Sequence, residues 1–175
     1  MYNIFLDFDG TLADSSEGIY KSFAYASNEL SLTPPVYQDF ISYIGPPIKI
    51  IAKKIFPNID DLTLDRFVAN FRLTYDHENY RYLSWYNNVK SDIKLLSNFN
   101  DLSFSIVTNK PTEPTLALLK SANIDQYFKY VIGIDYLKFL NNGEIFKSKY
   151  EAINYSIKLT QADMNKVFYV GDTAN

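Results

Sequence analysis

Three short apolar runs, each stopping abruptly at polar residues, constrain this chain more than any other feature. Ile4-Phe5-Leu6 runs into Asp7-Phe8-Asp9-Gly10, Ser105-Ile106-Val107 into Thr108-Asn109, and Val167-Phe168-Tyr169-Val170 into Gly171-Asp172. Short continuous apolar runs of this kind read as buried strands of a parallel sheet. In an open α/β sheet, ligands bind in the crevice beyond the carboxyl ends of the strands, so the chemistry of this chain is expected where these runs end.

Between the runs the pattern changes character once. Residues 3–8 read as the first strand, and 15–83 then read as helices only, broken at Thr33-Pro34-Pro35, Gly45-Pro46-Pro47 and Pro57-Asn58. From Tyr86 onward helix and strand alternate: 89–99 helical, 103–107 strand, 112–122 helical, 130–134 strand. A hairpin turn is expected at Asn141-Asn142-Gly143, then a helix from about Tyr150 and a last strand over 166–170. The alternation implies a Rossmann-like parallel sheet with right-handed crossovers. The expected organisation is an α/β core of residues 1–14 and 84–175 carrying an inserted all-α cap of residues 15–83.

At 175 residues and 47% hydrophobic composition the chain can bury a real core. It contains no cysteine, which removes disulfides, thiolate metal sites and a cysteine nucleophile from consideration. Met1-Tyr2-Asn3 leads straight into the first strand, so no signal peptide is expected, and no later stretch is apolar enough to span a bilayer. A cytoplasmic location is the default. A net charge of −3 with scattered lysines argues against nucleic acid as a partner. The aromatic content is high, with 15 Tyr and 13 Phe, and Phe23, Tyr37, Phe40, Phe67, Phe71 and Tyr75 fall at helical spacings that suit a core-facing stripe. His77, the one histidine, is expected to be solvated or to pack.

Asp7 and Asp9 share a face, because side chains alternate along a strand. Two carboxylates that close repel unless a cation stands between them, and a hard metal such as Mg2+ carrying a phosphate is the simplest partner. In this setting Asp7-Phe8-Asp9-Gly10-Thr11-Leu12-Ala13-Asp14-Ser15 resembles the first motif of the haloacid dehalogenase-like hydrolases, in their phosphatase branch. Thr108-Asn109-Lys110-Pro111 resembles the second motif of the phosphoglycolate phosphatase-like members, and Tyr43-Ile44-Gly45-Pro46-Pro47 and Phe71-Arg72-Leu73-Thr74-Tyr75 resemble segments of their caps. Gly171-Asp172 after the last strand completes the order.

The resemblance implies a Mg2+-dependent phosphomonoester hydrolase for a small phosphorylated metabolite, phosphoglycolate-like, working through an aspartyl-phosphate. Asp7 would be the nucleophile and Asp9 the acid and base. Mg2+ would be held by Asp7, the Asp9 backbone carbonyl and Asp172. Gly10, Thr108, Asn109 and a lysine would hold the phosphoryl oxygens. Lys147 and Lys149 both stand at spacings from Asp172 that the family uses; Ser148-Lys149, with Ala152, Ile153, Ser156 and Ile157 on one helical face behind it, favours Lys149. Substrate specificity is expected in 14–20 and 45–48. A dehalogenase is disfavoured because that branch lacks the second aspartate, here Asp9. A sugar phosphomutase, and a truncated or non-catalytic phosphate-binding module, remain as alternatives. The chain ends at Asn175 without the second acid that relatives carry beyond the position of Asp172, so a shortened core is expected. Either a monomer or a homodimer is compatible with the sequence.

Overall fold

This computed structural model describes residues 1–141 and 143–172. The chain begins with β1 (Tyr2–Leu6) and the two-residue β2 (Ala13–Asp14). Four helices follow: α1 (Ser16–Glu29), α2 (Tyr37–Phe40), α3 (Ile48–Ile55) and α4 (Asp61–Tyr75). Then come β3 (Ser84–Trp85), α5 (Val89–Leu96), β4 (Leu102–Val107), α6 (Thr112–Ser121), β5 (Phe128–Ile132), α7 (Tyr136–Phe139), α8 (Lys149–Thr160) and β6 (Val167–Val170). These elements form two units, Met1–Asp14 with Trp85–Asn175, and Ser15–Ser84.

The first unit is an α/β core. Its sheet is parallel throughout, in the order β5-β4-β1-β6, so the three apolar runs of the sequence are neighbours. Register does the rest: Leu6 pairs with Ile106 on one side and with Val170 on the other. Asp7, Thr108 and Asp172 therefore leave the sheet at its carboxyl edge together. Phe5, Val107, Ile132, Phe146 and Ala152 make the buried core on one side of these strands. Of these, the Phe, Val and Ile side chains each contribute about 1.5–3 kcal/mol by leaving water.

The second unit is helical apart from Ser84 and closes on an aromatic centre. Phe23 and Phe40 lie 4.7 Å apart, Phe23 and Phe67 4.9 Å, and Phe71 stacks on Tyr75 at 5.2 Å. Phe23, Phe40, Phe67, Phe71 and Tyr75 are buried. Tyr37 is half-buried and keeps its hydroxyl 2.7 Å from Ser16 Oγ, because a phenol entering a core needs a polar partner. His77 is exposed. The N-terminus of α4 is fixed by Asp60, whose carboxylate accepts from the Thr63 amide at 2.9 Å and the Thr63 hydroxyl at 2.7 Å.

The hairpin expected at Asn141-Asn142-Gly143 turns on Asn142, which lies outside the described residues; the residues before it form the single turn α7, and among the described residues no strand stands between α7 and α8. Phe146 explains this, since its ring is buried 5.4 Å from Tyr155 and its amide donates to the Ile134 carbonyl at 2.8 Å. That anchorage uses Phe146 for the core rather than for a ladder. β5 also sits two residues earlier than the expected strand over 130–134, ending at Ile132. Gly133 turns its amide to Thr112 Oγ1 at 3.2 Å and passes so close to the backbone of Lys110 and Thr112 that a Cβ there would overlap both.

Candidate active site

Asp7 is the residue after β1, and its amide still belongs to the sheet, donating to the Val170 carbonyl at 2.9 Å. Its carboxylate does not. Oδ1 accepts from the Phe8 amide at 2.8 Å, and Oδ2 accepts from Lys149 Nζ. Only 5% of Asp7 is exposed, so this is a charge taken almost wholly out of water and held by an ammonium.

Beyond Asp7 the chain turns back at once. Leu12 donates to the Phe8 carbonyl at 2.9 Å and Gly10 to the Ala13 carbonyl at 2.9 Å. Gly10 has φ +78°, and a Cβ there would overlap the Asp172 carboxylate. The glycine thus lets an acid from the end of β6 lie against the turn after β1. Gly171 stands beside Asp7 with more room: a Cβ there would lie 3.6 Å from that of Asp7, an ordinary contact, and 3.0 Å from the Tyr169 ring. The Thr11 hydroxyl is buried and has no hydrogen-bond partner among the described residues. Such an orphan costs about 1–3 kcal/mol, so a ligand or water that brings an acceptor or donor is favoured there.

Thr108 follows β4 and is buried; its amide donates to the Ile132 carbonyl at 3.0 Å, and its Oγ1 accepts from the Lys110 amide at 3.2 Å. Asn109 is half-buried in the same turn. The helix that follows, α6, has its first amide bound by Asp135 Oδ1 at 2.7 Å, and the Thr112 hydroxyl reaches the same oxygen at 2.8 Å. This ties the loop after β4 to the loop after β5.

The two candidate lysines separate cleanly. Ser148 caps α8, accepting from the Glu151 amide at 3.2 Å, while Glu151 Oε2 accepts from the Lys147 amide at 2.7 Å. Lys149 is the first residue of the helix, buried, with its ammonium on Asp7 and 5.8 Å from the Tyr169 ring. Lys147 lies before the cap and is exposed. Tyr169 donates its hydroxyl to the Val107 carbonyl at 3.3 Å, and its ionisation is pushed far up, first by burial and then by the Asp7 charge.

One charged residue in the site was not singled out from the sequence. Lys110 Nζ lies 3.0 Å from Asp9 Oδ1 and 5.5 Å from the Phe8 ring, with its side chain wholly buried. The only signal for it was its place inside Thr108-Asn109-Lys110-Pro111.

The donor set suits a hard cation. Among the described residues no group of three or more His, Asp or Glu side chains stands together, in keeping with an Asp9 carboxylate turned to Lys110. What remains for a cation is the Asp7 and Asp172 carboxylates and the Asp9 carbonyl. Mg2+ takes one or two carboxylates and keeps several waters, so these oxygens fit it.

Fold and site together define an α/β enzyme core that gathers acids and ammonium groups at the carboxyl edge of a parallel sheet. The chain belongs to the haloacid dehalogenase-like hydrolases, which residues 4–175 match. It is 27% identical over 170 residues to pyrophosphatase PpaX of Anoxybacillus flavithermus, covering 97% of this chain and 74% of that protein. A predicted phosphatase from Clostridium acetobutylicum superposes with a TM-score of 0.84 at 22% identity, over 98% of this chain and 76% of that one. A predicted phosphoglycolate phosphatase from Haemophilus somnus gives 0.78 at 23% identity, over 98% and 77%. At these identities the two structures speak for the fold alone. No described helix is long and apolar enough to cross a membrane.

Proposed function

We propose that this chain is a Mg2+-dependent phosphomonoester hydrolase acting on a small phosphorylated metabolite, with Asp7 as the nucleophile. The observation that carries the reading is the buried Asp7 carboxylate held by the Lys149 ammonium at the carboxyl edge of the sheet. A buried charge this costly to desolvate is retained where it reacts.

In the first step an Asp7 carboxylate oxygen attacks phosphorus in line. The bond from phosphorus to the leaving oxygen breaks, and Asp9 gives that oxygen its proton, leaving an aspartyl-phosphate. In the second step Asp9 takes a proton from water as the water oxygen attacks the same phosphorus, which returns Asp7 and releases phosphate. The Thr108 hydroxyl, the Asn109 and Gly10 amides and Lys149 bind the phosphoryl oxygens, whose charge must be held through both steps. Lys149 offsets the repulsion between Asp7 and the incoming phosphate dianion. Asp7, Asp172 and the Asp9 carbonyl would hold Mg2+, which would supply the further positive charge that the dianion requires.

The names of the relatives suggest two substrates, pyrophosphate and phosphoglycolate. We take a small phosphomonoester of the phosphoglycolate type as the substrate class. The test is phosphate release from a panel holding both compounds and several sugar phosphates, with Mg2+ and with EDTA. Metal-dependent release that is greatest for a small monoester is expected. Faster turnover of pyrophosphate overturns the substrate class, and conversion of a sugar phosphate into its isomer overturns the hydrolase.

A further inference from the structure

Lys110 is an unusual residue for a loop. Its side chain is 0% exposed, whereas that of its partner Asp9 is 22% exposed. The two belong to different loops, 101 residues apart in sequence, one after β4 and one after β1. Both ends of the lysine are fixed. Its amide donates to Thr108 Oγ1 at 3.2 Å, and its carbonyl accepts from the Ile134 amide at 3.4 Å beside the close-packed Gly133. Its ammonium lies between Asp9 Oδ1 and the face of Phe8. Stability alone gives no reason for this arrangement, because burying an ammonium carries a desolvation cost that an apolar pair would avoid.

Resting on the phosphatase reading above, we propose that Lys110 is a positioning residue for Asp9. It holds Oδ1, and an oxygen that accepts from an ammonium is not the one that carries a proton. Oδ2 is therefore the oxygen that gives the proton to the leaving group and takes one from water. Proton transfer requires one carboxylate oxygen within hydrogen-bond reach of the leaving atom, and the Lys110 contact at 3.0 Å sets which of the two that is. Lys149 acts on phosphorus through Asp7, and Lys110 acts on the leaving group through Asp9.

The two roles are separable by the leaving group. Glycolate must be protonated as it departs, while p-nitrophenolate leaves unaided. Lys110→Met and Lys110→Arg are to be compared with the unchanged chain, in Mg2+, on 2-phosphoglycolate and p-nitrophenyl phosphate. For Lys110→Met the expected fall in kcat on 2-phosphoglycolate is on the order of 10²-fold, with a fall of less than about 5-fold on p-nitrophenyl phosphate and KM values little changed. Lys110→Arg should recover part of the lost ratio. Because the ratio is read within one preparation, a reduced folded fraction cancels. Equal losses on both esters, or a loss carried by KM, overturn the inference. Failure of the unchanged chain to hydrolyse either ester overturns the phosphatase reading and this inference with it.

Discussion

Lys149, the first residue of α8, holds its ammonium against Oδ2 of Asp7, the residue that follows β1, across 142 positions of sequence. Both side chains are nearly out of water, at 8% and 7% exposure. Removing either member strands a buried charge. Lys149→Met should therefore lower stability by roughly 3 kcal/mol, read as a denaturant midpoint, and should reduce turnover far more than that loss of folded protein explains. Asp7→Asn leaves the Lys149 ammonium without its counter-charge, so it should also lower stability, and it should abolish turnover.

The cap of α8 sets where that ammonium points. Ser148→Ala removes the side-chain acceptor for the Glu151 amide and should cost about 1 kcal/mol of stability. A modest fall in kcat should accompany it, because Lys149 occupies the first turn of the helix that frays. A melting curve and a kcat measurement on the same sample check both.

Gly10 serves both the turn and the acid beyond it. At φ +78°, and with a Cβ that would overlap the Asp172 carboxylate, Gly10→Ala must shift one of the two. The strain should lower stability by about 1 kcal/mol or more. If Asp172 holds Mg2+, the variant should also bind Mg2+ at least about tenfold more weakly by titration calorimetry, a change of about 1.4 kcal/mol.

The helical unit depends on its rings. Phe67 is fully buried, 4.9 Å from Phe23 and 6.1 Å from Phe56, so Phe67→Ala should cost about 3–5 kcal/mol. Urea unfolding followed by circular dichroism reads this directly.

Asp60 gives the same unit a pH dependence. The Thr63 hydroxyl, followed by the Thr63 amide, holds its carboxyl below the ordinary value of 3.8. A carboxyl whose folded value is lowered contributes stability above the unfolded value and loses it as pH falls toward the folded one. Asp60→Ala should therefore be less stable than the unchanged chain at pH 7, and the difference should shrink as the pH is taken below about 4. A pH-independent difference would contradict the assignment.

What the sequence reveals about this fold follows from what its residues do locally. Ile4 to Leu6, Ile106-Val107 and Val167 to Val170 are legible as strands because their apolar character is continuous and each stops at a polar group. Their common edge follows from parallel pairing alone. Asn141-Asn142-Gly143 carries a turn composition that suits a hairpin equally well, whereas the described residues before it form α7 and Phe146 is buried 5.4 Å from Tyr155. The early end of β5 is hidden for a related reason, since Gly133 leaves the ladder to make room for the backbone at Lys110 and Thr112. Around the candidate site, acids following strands announce themselves, but Lys110 does not. Its meaning comes from Asp9, 101 residues earlier, and no local pattern encodes that contact.

The most direct test of the account is to trap the covalent intermediate. The unchanged chain is mixed with 2-phosphoglycolate and Mg2+, quenched in acid during turnover, and the peptide containing Asp7 is analysed by mass spectrometry. The account predicts one added phosphoryl group on Asp7, absent in EDTA and absent in Asp7→Asn. Phosphate release with that peptide unmodified, together with retained turnover by Asp7→Asn, would contradict it.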